Sequence, residues 1–240
     1  MKAMLFAAGK GTRLKPLTDR HPKCLVQAGG KTLLEHNIDY LKNAGVSTIV
    51  VNVHHLAEQV IAFLGDRDLG VEIQISREVD LLETGGGLLK AMDHFKDEAA
   101  FVVCNSDIYT DIDLNKMLSL HDQNKNLATL AVADRNTSRY LRFDGDDLLC
   151  GWENRKNDEQ VVLNDHPYHT RAFNGLQIMS PHLFDFMAGR GKAFSTIPVF
   201  LDAAAAGQRI QAFPVDDAFW IDIGTVEKLE LLRTRLSQSS

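Results

Sequence analysis

The chain has 240 residues, 45% of them hydrophobic and 24% charged, with a formal net charge of −6. That length suits one α/β domain with a substantial core, and the acidic balance disfavours a general nucleic-acid or anionic-membrane surface. No stretch offers the roughly 18 consecutive apolar residues of a membrane helix. The N-terminal apolar run breaks at Gly9, short of a signal-peptide core, and the 3 cysteines are scattered without a CxxC spacing, so a reducing, cytoplasmic location is expected.

The first element, "KAMLFAA", reads as a buried strand, and the loop after it is basic and glycine-containing. Gly9 and Gly11 allow close backbone approach, while Lys10, Arg13, Lys15, Arg20 and Lys23 face a single acid, Asp19. The backbone N–H groups of Gly9 to Thr12 form a candidate anion nest, Arg13 can grip a phosphate through two N–H groups, and Lys23 adds a point charge. Two better-known phosphate loops are excluded. Leu14 stands where a dinucleotide fingerprint has its third glycine, and GxxxxGK[ST] is absent.

A helix follows in "TLLEHNIDYLKNAG", where Leu33, Leu34, Ile38 and Leu41 share a face. Thr32 and Glu35 form a capping-box pattern, and Gly45 suits the position just past the helix end. Then come the strand "STIVVNV", the helix "LAEQVIAFLG", the strand "VEIQIS", the helix "GGLLKAMDHF" and the strand "AAFVVCNSD". His54 and His55 follow "TIVVNV" without a third ligand at usable spacing and read as loop residues. This alternation predicts a Rossmann-like α/β fold: three layers, a mixed and mainly parallel sheet, helices on both faces, and ligands at the carboxyl ends of the strands.

Beyond about residue 125 the rhythm changes to the strand-like "LATLAVADR", "RYLRFD", "LLCGW" and "HTRAFNGLQIM", with a polar stretch at 144–166. The helical segments "HLFDFMAG" and "IPVFLDAAAAG", the strand "RIQAFPV", and "FWIDIGTVEKLELLRTRL" as strand, turn and helix complete the chain. A single domain over 1–240 is expected, with the change of rhythm dividing it into halves over about 1–125 and about 126–240.

Two carboxylates attract notice. Asp107 ends the apolar run "AAFVVCNSD", after Asn105, and Asp222 sits in the second apolar run "FWIDIGT". Two strand-end aspartates are a plausible Mg²⁺ pair, because magnesium binds through one or two carboxylates together with substrate phosphates. The three glycines of "LLETGGGLLKAM" would expose helix N-terminal amides and leave room for a flat ring. No nucleophile elbow or Cys–His arrangement suggests covalent catalysis.

Gly-x-Gly-Thr-Arg after a first strand, followed by Pro22-Lys23, resembles the signature of the sugar-1-phosphate nucleotidyltransferases. That resemblance covers nearly the whole chain and implies a nucleotide-diphospho-sugar transferase type of fold, with a nucleotide-binding half over about 1–125 and a sugar-binding half over about 126–240. It implies that Ala8, Gly9, Gly11, Thr12, Arg13 and Lys23 hold the nucleotide phosphates, and that Glu83, Thr84, Gly85 and Gly86 hold the base. Asp107 and Asp222 are then the Mg²⁺ ligands and, with Arg13 and Lys23, the catalytic set. Asn105, Asn174 and Gly175 are expected at the sugar phosphate, joined by Glu153 although "GWENRK" lacks the Glu-Lys-Pro of one branch. The expected substrates are a nucleoside triphosphate and a sugar 1-phosphate. "LETGGG" looks like the uridylyltransferase branch that takes UTP and N-acetylmuramate 1-phosphate in peptidoglycan recycling. Mannose- and heptose-1-phosphate guanylyltransferases are the alternatives. A non-catalytic nucleotide-sugar sensor, an alternative of another class, would be expected to lose these four charged residues.

Overall fold

A computed structural model describes residues 1–238, which fall into two compact units. The first comprises Met1–Leu82, Cys104–Ile112 and the chain from Phe219 onward. Its strands Lys2–Phe6, Thr48–Val53 and Glu72–Arg77 pair in parallel, with Lys2 opposite Thr48 and Thr48 opposite Glu72. Every residue of the middle strand is buried, as suits its mostly apolar sequence.

The helix Leu33–Asn43 carries the expected capping box: Glu35 N–H donates to Thr32 Oγ1 at 3.1 Å, and Thr32 N–H to the Glu35 carboxylate at 2.7 Å. Leu33, Leu34, Ile38 and Leu41 are its buried face, and Gly45 takes a left-handed φ of 85° just past its end. The basic segment is not an open loop. It winds through three single 3₁₀ turns, Thr12–Leu14, Leu17–Asp19 and Lys23–Leu25. One core cluster fastens it to the C-terminal segment: Leu14 and Val26 pack with Leu33, Ile221, Ile223, Leu229 and Leu232. In that segment the strand Trp220–Asp222 pairs antiparallel with Ile108–Thr110, and the helix Val226–Gln238 follows.

The second unit comprises Glu83–Val103 and Asp113–Ala218. Its long strand His169–Met179 pairs antiparallel with Ala128–Ala133 and with Arg139–Phe143. Ala128–Ala133 pairs in parallel with Ile210–Pro214, and Leu149–Asn154 pairs antiparallel with Arg139–Phe143 and Glu159–Val162. The mixed α/β class therefore holds, the parallel strands of the first unit giving way here to mostly antiparallel pairing. Phe101 stacks between Phe95 and Phe184, with centroid distances of 4.5 and 5.8 Å.

Some elements differ from the sequence expectation. The segment "HLFDFMAG" forms a 3₁₀ helix, Pro181–Phe186, because Gly189 at φ 77° ends it before an α-helix can propagate. The glycine-rich helix begins at Glu83, itself at φ 59°, and ends at Lys90. Helix Leu114–Gln123, capped by Asp113 through the N–H groups of Asn115 and Lys116 at 3.1 Å, lies where no element was read. The polar stretch contains the strand Glu159–Val162.

Among the described residues no helix is long and apolar enough to cross a membrane. Cys24, Cys104 and Cys150 are free and buried, and burial pushes the Cys24 thiol up to about 12, so it is inert as a nucleophile.

Cross-strand ion pairs brace the outer strands of the second unit. Glu153 accepts from Arg142 Nε at 2.8 Å and from Arg155 Nε at 2.6 Å, while Arg142 also donates to Gln160 at 2.6 Å. Burial alone would raise the Glu153 carboxyl, but the hydrogen bonds from Arg155 and Arg142 outweigh it and hold the group below its ordinary value. A carboxylate with a depressed folded pKa contributes stability above its unfolded pKa and loses it as pH falls through the folded value. Glu153→Gln is therefore expected to lower Tm most near about pH 7, with the deficit narrowing toward about pH 3. Calorimetric scans of both proteins at the two pH values check this, and an equal deficit at both would contradict it.

Candidate active site

The strand pairing that closes the first unit sets the geometry. Asp222 lies opposite Ile108, and the next residue, Ile223, donates its N–H to the carbonyl of Asp107 at 2.7 Å. The two expected aspartates are thus backbone neighbours. Each is matched by a cation of the basic segment: Lys23 Nζ makes an ion pair with Asp107, and Arg13 approaches Asp222 Oδ2 at 4.0 Å. Lys228 Nζ, from the helix Val226–Gln238, makes a further ion pair with Asp222 Oδ1.

Close backbone approach explains two glycines here. A Cβ on Gly224 would lie 2.9 Å from the Arg13 guanidinium, so the absence of a side chain there makes room for the arginine. Gly11 has φ 62°, and a Cβ on it would meet Lys23 Cβ and Thr18 Cγ2 at 3.0 Å. Thr18 Oγ1 donates to the Gly11 carbonyl at 2.7 Å and fixes the turn. Gly9 has open space around it, Ala8 is buried and Thr12 is exposed beside Arg13. Lys15 pairs with Asp19 at 2.9 Å, so that lysine is spent on the loop itself.

The aspartate turn is held from below. Asn37, buried on the helix Leu33–Asn43, donates to the carbonyls of Ser106 and Ile108 at 3.3 and 2.9 Å, on either side of Asp107. Ser106 Oγ donates to the Phe6 carbonyl at 2.6 Å, and Asn105 is half-buried at the end of its strand. A second buried chain runs from the residue after the first strand to Leu82. Ala7 N–H donates to Asn52 Oδ1 at 2.7 Å, Asn52 Nδ2 donates to Glu78 Oε1 at 2.6 Å, and Leu82 N–H donates to Glu78 Oε2 at 3.1 Å.

In the second unit the glycine helix does not present free amides at its start. The N–H groups of Gly85 and Gly86 donate to the Phe194 carbonyl at 2.7 and 3.2 Å, and Thr84 Oγ1 accepts from Thr196 N–H at 3.1 Å. A Cβ on Gly85 would come within 2.4 Å of the Phe194 ring, so this glycine serves close packing. Asn174 and Gly175 lie where the strand His169–Met179 shifts register against Ala128–Ala133, with Gly175 at φ 77°. Asn174 is 1% exposed, and its Oδ1 accepts from Arg135 Nε at 2.9 Å while Arg135 Nη2 donates to the Phe173 carbonyl at 2.7 Å. Both oxygens of Glu153 are engaged by arginines, so this candidate sugar ligand braces the sheet instead of facing a ligand.

Among the described residues no group of three or more His, Cys, Asp or Glu is gathered as a metal cage. The donor set of two adjacent carboxylates still fits Mg²⁺, which takes hard oxygen ligands and completes its shell with water and phosphate.

A family model described as nucleotidyl transferase matches residues 2–238. The chain belongs to that family. Arabidopsis thaliana mannose-1-phosphate guanylyltransferase 1 is 31% identical over 93% of this chain, which spans only 61% of that longer protein. The N-acetylmuramate alpha-1-phosphate uridylyltransferase of Caulobacter vibrioides is also 31% identical, over 99% of this chain and 97% of its own. A crystal structure of UDP-glucose pyrophosphorylase complexed with UDP-glucose shares the fold, with a TM-score of 0.80 at 17% identity over 100% of this chain and 99% of that one. The expected sugar-1-phosphate nucleotidyltransferase family and its fold are thereby shown.

In this nucleotidyltransferase, sequence reading missed Asn37, Asn52, Glu78 and Lys228. A polar residue inside the otherwise apolar run of the strand "TIVVNV" was the signal for Asn52; Asn37 sits on the otherwise apolar inner face of its helix. The glycines differ in a testable way. Gly85→Ala drives a Cβ into the Phe194 ring and backbone and is expected to destabilise by about 1–3 kcal/mol. Gly224→Ala meets only a flexible arginine tip and is expected to leave stability within about 0.5 kcal/mol. Asn37→Ala removes the donor from two buried carbonyls and is expected to lose about 1–3 kcal/mol. Urea unfolding midpoints of the three variants decide among these outcomes.

Proposed function

We propose that the protein is a uridylyltransferase that joins UTP to an N-acetylated amino sugar 1-phosphate, N-acetylmuramate 1-phosphate first, and releases pyrophosphate. The observation that carries the reaction class is the juxtaposition of Asp107 and Asp222, each facing a cation of the glycine-containing basic segment. The Caulobacter relative, alike in length, supports the uridylyl and N-acetylmuramate assignment. The Arabidopsis relative supports a second reading, a guanylyltransferase for mannose 1-phosphate or a related heptose 1-phosphate.

In the proposed reaction a phosphate oxygen of the sugar 1-phosphate attacks the α-phosphorus of UTP. The bond from the α-phosphorus to the bridging oxygen breaks, and that oxygen leaves on pyrophosphate with the electron pair. No protein nucleophile is required; positioning and charge neutralisation suffice. Arg13 and the backbone of Ala8, Gly9, Gly11 and Thr12 would hold the β- and γ-phosphates. Lys23 would meet charge on the α-phosphate, released from Asp107 as the phosphates enter. Asp107 and Asp222 would hold Mg²⁺, which when bound neutralises phosphate charge and favours attack.

The segment Glu83–Gly86 is assigned to the base, with its carbonyls and the Glu83 and Thr84 amides as contacts, since the Gly85 and Gly86 amides are already engaged. Asn105, Asn174 and Gly175 are assigned to the sugar phosphate. Arg135 fixes the orientation of the Asn174 amide through its Oδ1. The enzyme would work in the cytoplasm, where its nucleotide substrate is made, without nucleic-acid or membrane partners.

A matrix of four nucleoside triphosphates against a panel of sugar 1-phosphates with Mg²⁺, read by pyrophosphate release, tests this reading. UTP with N-acetylmuramate 1-phosphate is expected to give the highest kcat/KM. GTP with mannose or heptose 1-phosphate as the best pair would replace the substrate assignment. Asp107→Asn and Asp222→Asn are each expected to lower kcat by about a hundredfold or more with the fold intact by circular dichroism. Near-normal turnover in both would remove the metal assignment.

A further inference from the structure

Three cations face two aspartates in this site, and they are not equivalent. Lys23 is enclosed: its side chain is 11% exposed and its Cβ abuts Gly11, so it is held by the fold of the loop. Lys228 is 42% exposed and reaches Asp222 Oδ1 from the first turn of the helix Val226–Gln238. A cation in a first turn opposes the helix dipole, so helix chemistry gives no reason for a lysine at that position. The Asp222 carboxylate does. Its other oxygen, Oδ2, faces Arg13 at 4.0 Å, so Asp222 is bracketed by positive charge on both oxygens.

We propose that Lys228 is the resident counter-ion of Asp222 and the group that a divalent cation must displace to reach that carboxylate. Half-exposed on a flexible stem, it can swing into solvent while Arg13 still faces Asp222, whereas Lys23 is enclosed by the loop. The consequence is low affinity for free metal in the substrate-free protein. Metal then enters with the triphosphate, whose own negative charge offsets the three cations. Lys228 is a positioning residue in this account: it acts on Asp222 and on the order of loading, not on the reacting atoms. The inference rests on the assignment of Asp222 as a metal ligand.

Mn²⁺ is the probe, titrated into substrate-free protein with the free ion read by electron paramagnetic resonance. Lys228→Met keeps the length of the side chain and removes its charge, and Kd for Mn²⁺ is expected to fall about tenfold, the effect of one charge at close range under solvent screening. Lys228→Arg should match the wild type. Adding Asp222→Asn to Lys228→Met should abolish the gain. Unchanged or weaker Mn²⁺ binding in a folded Lys228→Met protein overturns the displacement role. If Asp222→Asn weakens binding in the wild-type background while Lys228→Met fails to tighten it, the metal assignment stands and only this inference falls. If Asp222→Asn has no effect in either background, the metal assignment itself fails.

Discussion

The antiparallel pairing of Trp220–Asp222 with Ile108–Thr110 is the contact on which the site depends. It makes Asp107 and Asp222 neighbours although they come from distant parts of the chain. Carboxylates on neighbouring backbone positions repel each other unless cations intervene. The basic segment and the last helix supply them. Lys23 and Asp107, Arg13 and Asp222, and Lys228 and Asp222 are one assembly of three cations on two carboxylates, not separate surface ion pairs. The apolar cluster of Leu14, Val26, Ile221, Ile223, Leu229 and Leu232 lies beneath it and holds the loop, strand and helix in register. Hydrophobic burial thus sets the positions of the backbone, and the charges adjust upon it.

Buried polar groups perform the finer positioning. An amide such as Asn37 is costly in a core unless its hydrogen bonds are met, and its Nδ2 is met by the carbonyls of Leu33, Ser106 and Ile108. Those last two flank Asp107, and the carbonyl of Asp107 itself is taken by Ile223 N–H. Three consecutive peptide carbonyls are therefore fixed, which leaves the Asp107 side chain as the adjustable part of the turn. The chain from Ala7 through Asn52 and Glu78 to Leu82 works similarly, tying the start of the basic loop to Leu82. Both Glu78 oxygens accept hydrogen bonds, so the carboxyl group is held at both ends.

The glycines show how one residue type serves different physics. Gly11 supplies a left-handed turn, Gly224 yields space to a guanidinium, and Gly85 yields space to an aromatic ring and a carbonyl. Only the first follows from loop chemistry visible in the sequence. For Gly85 the reading of an exposed helix start was reasonable from "TGGG", but its amide and that of Gly86 are satisfied by Phe194, more than a hundred positions away.

Much was nevertheless legible in the sequence. Alternating apolar strands and capped helices gave the α/β class, because hydrophobic period and caps are local properties; the Thr32–Glu35 box and the buried face of its helix appear as read. The glycine and basic residues of the first loop, with the two strand-end aspartates, gave the family through a short, specific signature. The sequence could not tell that Lys228 reaches Asp222, that Asn37 clamps the Asp107 turn, or that Glu153 is consumed by Arg142 and Arg155. Each of those facts depends on which residues a strand register or helix orientation brings within about 3 Å, the reach of a hydrogen bond. Sequence spacing fixes side-chain direction along one element, but the meeting of side chains from different elements is set only when the core packs.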